Sequence, residues 1–139
     1  MVGRSVIPTE SQEQIAFVNW FRSQFPRVLI FAVPNGAHLA GGGGQRAAKM
    51  ARMKAEGLVN GIPDLCVPEW RLWIEMKRQR GGRVSPDQRD VHDYLRGIGH
   101  EVIVGRGWED ARDAVMATDR SAWRSIGQII DGMTIGDVQ

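Results

Sequence analysis

The stretch "GIPDLCVPEWRLWIEMKRQRGG", residues 61–82, decides the fold. Side chains alternate between the two faces of a strand, so residues 72–77 separate into Leu72, Ile74 and Met76 on one side and Trp73, Glu75 and Lys77 on the other. The preceding "DLCV" alternates as well, and "PEWR" between the two runs has turn character because Pro68 and its polar neighbours interrupt the pattern. A turn centred between Glu69 and Trp70 makes this a hairpin that opposes Val67 to Leu72, Leu65 to Ile74 and Asp64 to Glu75. Directly opposed residues share a face. Leu65, Val67, Leu72 and Ile74 then form one apolar patch, with Asp64, Glu75 and Lys77 on the reverse. A slip of one residue would destroy that separation.

Two carboxylates opposed at roughly 5 Å between Cβ atoms repel unless positive charge lies between them. Lys77 supplies one such charge and a divalent cation could supply the rest. Carboxylate oxygens suit the hard ions Mg²⁺ and Mn²⁺, and Mg²⁺ commonly takes one or two carboxylates together with water and substrate phosphate. The pattern therefore fits a phosphodiesterase site, in which the metal activates water and a lysine orients the nucleophile or steadies developing charge. The bland alternative is an exposed strand face with a surface Glu–Lys pair, worth at most about 1 kcal/mol.

Outward from this hairpin the chain divides without internal repeats. "TESQEQIAFVNWFRSQF" (9–25) predicts a helix with Thr9 as N-cap and Ile15, Val18 and Phe21/Phe25 on its apolar face, stopped by Pro26. "RVLIFAV" (27–33) predicts a strand ended by the turn "PNG", and "AHLAGGGG" (37–44) a mobile loop. "QRAAKMARMKAEG" (45–57) predicts a helix with Gly57 near its C-cap. "SPDQRDVHDYLRGIG" (85–99) predicts a helix with Ser85 as N-cap, Pro86 in its first turn, a capping box through Gln88, and Val91, Tyr94, Leu95 and Ile98 on one face. "EVIV" (101–104) and "WEDARDAVMA" (108–117) complete the core as strand and helix. The order α-β-(α)-β-β-α-β-α specifies an α/β, mixed α+β, domain with a central mixed sheet flanked by helices.

The 139 residues, 42% hydrophobic and 24% charged, fit one globular domain. No apolar stretch is long enough to cross a bilayer, the N-terminus has no apolar core of the secretory kind, and the lone Cys66 can form no internal disulfide, so a reducing cytoplasm is expected. A net charge of +2 and runs such as "KRQRGGR" suit a polyanionic partner. His38, His92 and His100 show no zinc-ligand spacing. "GGGG" lacks the lysine and hydroxyl of a phosphate-binding loop, so no nucleotide cofactor is expected. Cys66 falls on the charged face, where packing is its expected role.

The combination "VPNG" (33–36), "KAEGLVNGIPDL" (54–65), "IEMKRQRGGRVSPDQ" (74–88) and "GHEVIVGRGWEDA" (99–111) resembles the virus-type replication-repair nuclease (VRR-NUC) domain of the PD-(D/E)XK nuclease superfamily, over about Glu10 to Ala117. The resemblance lies in the joint order of GxPD, ExK and SPxQ. It implies a restriction-endonuclease-like sheet, a domain over residues 1–118, and a divalent-metal-dependent DNA endonuclease using Mg²⁺, with Mn²⁺ able to substitute. Asp64, Glu75 and Lys77 fall on the superfamily's catalytic positions, with Asp64 and Glu75 as metal ligands.

The family pattern adds an acidic metal ligand on the first helix. Glu10 is preferred over Glu13 because it shares a face with Gln14 one turn on, while helix-dipole complementation remains an ordinary role for both. Gln88 matches a glutamine beside the active site, and its capping position is a sufficient alternative role. Asn35 and Gly36 could bring backbone near DNA. Arg46, Lys49, Arg52, Lys54, Arg78, Arg80 and Arg83 offer cations to phosphates, solvated surface being the default for each group.

The substrate expected by analogy is branched DNA such as a Holliday junction, in a bacterial or phage-infected cell. A catalytically inactive DNA-binding module and a nuclease for simple duplex DNA or RNA are the competing readings. Residues 119–139 place Trp123, Ile126 and Ile129/Ile130 at helical spacing, a stripe suited to packing or to a homodimer contact.

Overall fold

In the computed structural model of the protein, which describes residues 6–34 and 42–118, the first helix, α1, spans Glu10–Gln24. The Thr9 hydroxyl accepts from Gln12 N–H while the Gln12 side chain accepts from Thr9 N–H, so two of the helix's orphan donors are satisfied reciprocally. Its buried row is Glu13, Phe17 and Phe21, at successive four-residue steps. Ile15, expected on the apolar face, is instead 59% exposed. The aromatic cluster decides the rotation: Phe21 and Phe25 pack against Trp70, with Phe17 and Trp20 beside them.

Strand β1 is only Phe31–Ala32, shorter than the run 27–33. The chain is still turning at Val28, whose N–H bonds to Phe25 C=O, and Pro34 has no N–H with which to extend the ladder. Helix α2, Gly43–Ala55, begins inside the glycine run assigned to a loop, with Gly42 as N-cap. First-turn N–H groups need no intrahelical partner, so glycine is tolerated there. The helix buries no residue, and Gly57 and Leu58 close it by bonding back to Lys54 and Met53.

The sheet order is β1-β2-β3-β4, with β2 Leu65–Val67, β3 Leu72–Lys77 and β4 Glu101–Arg106. The first two pairings are antiparallel and β3 with β4 is parallel. The hairpin register is the one read from the sequence, Val67 opposite Leu72 and Leu65 opposite Ile74, closed by a 3₁₀ turn over Pro68–Trp70 and Arg71 at φ 47°. Leu72, Ile74 and Met76 join Phe17, Phe21, Leu65, Val67, Ala111 and Val115 in the main core, which α1 and α4 (Trp108–Ala117) cover. Gly105 lets α4 approach closely, since a Cβ there would stand 2.5 Å from Ala111 Cβ.

The reverse face carries Trp73, Glu75 and Lys77, and it is not open to solvent. Helix α3, Pro86–Gly97, lies over it, leaving Glu75 1% and Lys77 6% exposed. That placement corrects the apolar face assigned to α3. Its buried residues are His92 and Leu95, while Tyr94 is 67% and Ile98 52% exposed. The polar face of β3 selects the Gln88–His92 side of the helix because buried charges require polar partners. Among the described residues no helix is long and apolar enough to cross a membrane. The stripe at Trp123, Ile126 and Ile129/Ile130 lies outside the described residues, as do Asn35, Gly36 and His38.

Candidate active site

Three local structures bring the acidic residues together. Asp64 stands one position before β2, where its backbone C=O accepts from Val33 N–H and its Oδ2 accepts from Met76 N–H at 2.8 Å. The side chain is thereby tied to β3 beside Glu75. The turn preceding it is fixed by Gly61 at φ 88°, where a Cβ would stand 2.4 Å from the Asp87 carbonyl oxygen and 2.7 Å from Gln88 N. Only glycine lets this loop cross the first turn of α3. The glycine of "GIPD" therefore sets Asp64 and Gln88 relative to one another.

Strand alternation points Glu75 and Lys77 into the same space. Lys77 Nζ lies 3.3 Å from Glu75 Oε1 and donates to Gln88 Oε1 at 3.1 Å, while Gln88 Nε2 donates to Glu75 Oε1 at 2.7 Å. Gln88 also closes the α3 capping box, with Oε1 accepting from Ser85 N–H and its own N–H bonding the Ser85 hydroxyl. One side chain thus caps α3 and contacts both Glu75 and Lys77.

Burial is the main influence on both carboxylates. Burial first, and then the charge of Asp64, push Glu75 up to about 7, with Glu10 adding to the effect and Lys77 opposing it. Asp64 is also raised, by burial, then by Glu10, against the lowering action of the Met76 N–H bond and Lys77. Among the described residues Glu75 Oε2 has no hydrogen-bond partner. It faces His92 Nε2 at 3.7 Å, another buried atom without a partner. Burial, with the Arg96 and Lys77 charges, holds His92 below its ordinary pKa.

The two acidic residues of α1 take different positions. Glu10 acts on both Asp64 and Glu75, whereas Glu13 is buried elsewhere, accepting from Gln79 Nε2 at 3.0 Å and from Trp108 N–H at the start of α4. Gly107, at φ 92°, makes room for that carboxylate, whose oxygen would lie 3.0 Å from a Cβ there.

Asp64 and Gln88 line a cleft of about 420 Å³ that also touches Asn60, Gly61, Ser85 and Asp87. Arg78, Arg80 and Arg83 are exposed on the loop between β3 and α3. Arg106 donates to the Gly82 carbonyl and holds that loop against the end of β4. Arg46, Lys49, Arg52 and Lys54 are exposed on α2, where Arg52 pairs with Glu56 at 3.9 Å. Sequence reasoning weighed His92 only as a zinc ligand and did not place it beside Glu75. The available signal was its position four residues after Gln88, on the same helical face.

The donor set suits a hard divalent cation. It contains two neighbouring carboxylates, both raised by burial and Glu75 further by the Asp64 charge, and among the described residues one Glu75 oxygen has no hydrogen-bond partner. Among the described residues no group of three or more His, Cys, Asp or Glu side chains is drawn together to hold an ion alone. A two-carboxylate cradle completed by water and phosphate oxygens is the arrangement Mg²⁺ commonly adopts.

No protein-family model matches the chain, and comparison with curated proteins found no match. A solved structure described as a VRR_NUC domain protein superposes with a TM-score of 0.63 at 22% identity, covering 78% of this chain and 86% of that one. The chain has a VRR-NUC-like fold, a four-stranded mixed sheet flanked by helices.

Proposed function

We propose that the protein is a divalent-metal-dependent endodeoxyribonuclease whose centre is Asp64, Glu75 and Lys77. The observation that carries this reading is Glu75, a carboxylate 1% exposed and pushed up to about 7 beside Asp64, with one oxygen unsatisfied. Burying such a pair is destabilising unless a ligand compensates it, and a perturbed carboxylate pair of which Asp64 lines a cleft has the character of a functional site. This weighs against a binding module without catalysis.

Asp64 and Glu75 would hold the cation, with Glu10 contributing from α1. A bound Mg²⁺ or Mn²⁺ would withdraw charge from the scissile phosphate and make water a stronger nucleophile. Lys77, held between Glu75 and Gln88, keeps a positive charge in the site for the phosphate's developing negative charge. Gln88 fixes the orientation of both Glu75 and Lys77. The exposed Arg78, Arg80 and Arg83, and the cations of α2, bind the DNA backbone.

The substrate we assign is branched DNA, a four-way junction, on the strength of the sequence resemblance. Two symmetric cuts in a junction call for two centres, which a homodimer supplies. The test is to incubate the purified protein with labelled four-way junction, flap, duplex and single-stranded DNA in Mg²⁺, Mn²⁺ or EDTA. Cleavage confined to the metal-containing reactions and strongest on the junction is expected. Absence of cleavage on every DNA refutes the enzyme reading, and equal cleavage of all four refutes selectivity.

A further inference from the structure

The face that α3 turns to the sheet carries Gln88, His92 and Leu95, and the nuclease reading uses only the first. His92 is 2% exposed, and its Nε2 makes no hydrogen bond among the described residues. Opposite it, at 3.7 Å, lies Glu75 Oε2, buried and equally without a partner. Two orphaned buried polar atoms rarely face each other by accident, because each alone forfeits its hydration. Glu75 Oε1 is already fixed by Gln88 and Lys77, but a carboxylate held by one oxygen can still swing about that contact.

We propose that His92 is a positioning residue for Glu75. Closing the gap to the ~3.0 Å of an N–H···O bond requires a shift of well under an ångström. The Nε2–H of the imidazole then donates to Oε2 and fixes the plane of the carboxylate. Each carboxylate oxygen has two lone-pair directions, so Oε2 can accept from His92 and still face a cation together with Asp64. Hydrogen bonds to ligating carboxylates are the usual means of holding them in coordinating geometry. This inference rests on the reading of Asp64 and Glu75 as a cation site.

The test is calorimetric titration of Mn²⁺ into the intact chain and two variants, in the absence of DNA, with circular dichroism to verify folding. His92→Phe retains ring volume without the donor, and should bind Mn²⁺ at least about tenfold more weakly. His92→Gln, whose amide N–H reaches approximately the Nε2 position, should recover most of that loss. Equal affinity of the Phe variant and the parent overturns the inference, and so does an equal loss in both variants, which marks packing alone. If a variant does not fold, ¹⁵N spectra of the unsubstituted protein decide: an Nε2–H tautomer whose proton signal moves on Mg²⁺ addition supports the contact, and an Nδ1–H tautomer overturns it. A parent that binds no Mn²⁺ removes the cation-site reading and this inference with it.

Discussion

Gln88 donates to Glu75 Oε1 at 2.7 Å while its own Oε1 accepts from Lys77 and from the Ser85 N–H that begins α3. One side chain thus couples the start of a helix to the acidic and basic groups of a strand. The "SPDQ" motif reads accordingly: Ser85 and Gln88 form the cap, and the cap places the Gln88 amide against the "EMK" segment.

Glu75 gives the first prediction, on pH. Its pKa near 7 in the fold, against an ordinary 4.5, means that between these values the folded protein holds a proton that the unfolded chain has lost. Stability attributable to Glu75 therefore falls as pH rises through 7, by roughly 3 kcal/mol in all. His92, lowered by burial, acts in the opposite sense as pH drops below about 6.5. Comparing the parent with Glu75→Gln isolates the carboxylate. In metal-free melting experiments the variant should exceed the parent by several degrees at pH 8, and the gap should narrow toward pH 5. A gap independent of pH would contradict the shift.

Gly61 gives the second. Gly61→Ala forces a Cβ into the Asp87–Gln88 backbone at a φ that alanine rarely adopts. A loss of about 2 kcal/mol or more in denaturant unfolding is expected, with cleavage reduced further in the folded fraction because Gln88 moves. Wild-type stability in this variant would show that the loop and α3 separate freely.

The third distinguishes the two acidic residues of α1. Glu10→Gln should raise the Mg²⁺ needed for half-maximal cleavage while leaving the melting temperature nearly unchanged. Glu13→Gln should lower the melting temperature, since the buried Glu13 carboxylate accepts part-buried hydrogen bonds from Gln79 and from the first residue of α4. If the Glu13 variant alone needs more Mg²⁺, the two roles are exchanged.

What sequence made legible follows from periodicity. The hairpin register was readable because a period of two leaves a single pairing that keeps Leu65, Val67, Leu72 and Ile74 together. The same alternation collected Asp64, Glu75 and Lys77. Helix rotations were less legible. Ile15 and Tyr94 look like core by hydrophobicity, but a helix is turned by what it meets, and α3 meets a charged strand face that rewards Gln88 and His92. The shielding of Glu75 was invisible for the same reason, since it comes from a helix ten or more residues away in the chain.

The fourth prediction concerns assembly. Light scattering at micromolar concentration should give twice the 15.5 kDa of one chain, and junctions should receive paired nicks. A monomer mass with single-strand nicking would contradict the dimer and leave the nuclease reading in place.

The most direct measurement is cleavage of a labelled four-way junction in Mg²⁺ by the parent, Asp64→Asn and Glu75→Gln, with DNA binding measured in parallel. Both substitutions keep side-chain shape and remove the charge that holds the cation. The account predicts cleavage by the parent, loss of it in each variant by at least about a hundredfold, and DNA affinity within a few fold of the parent. Full cleavage by either variant would contradict it.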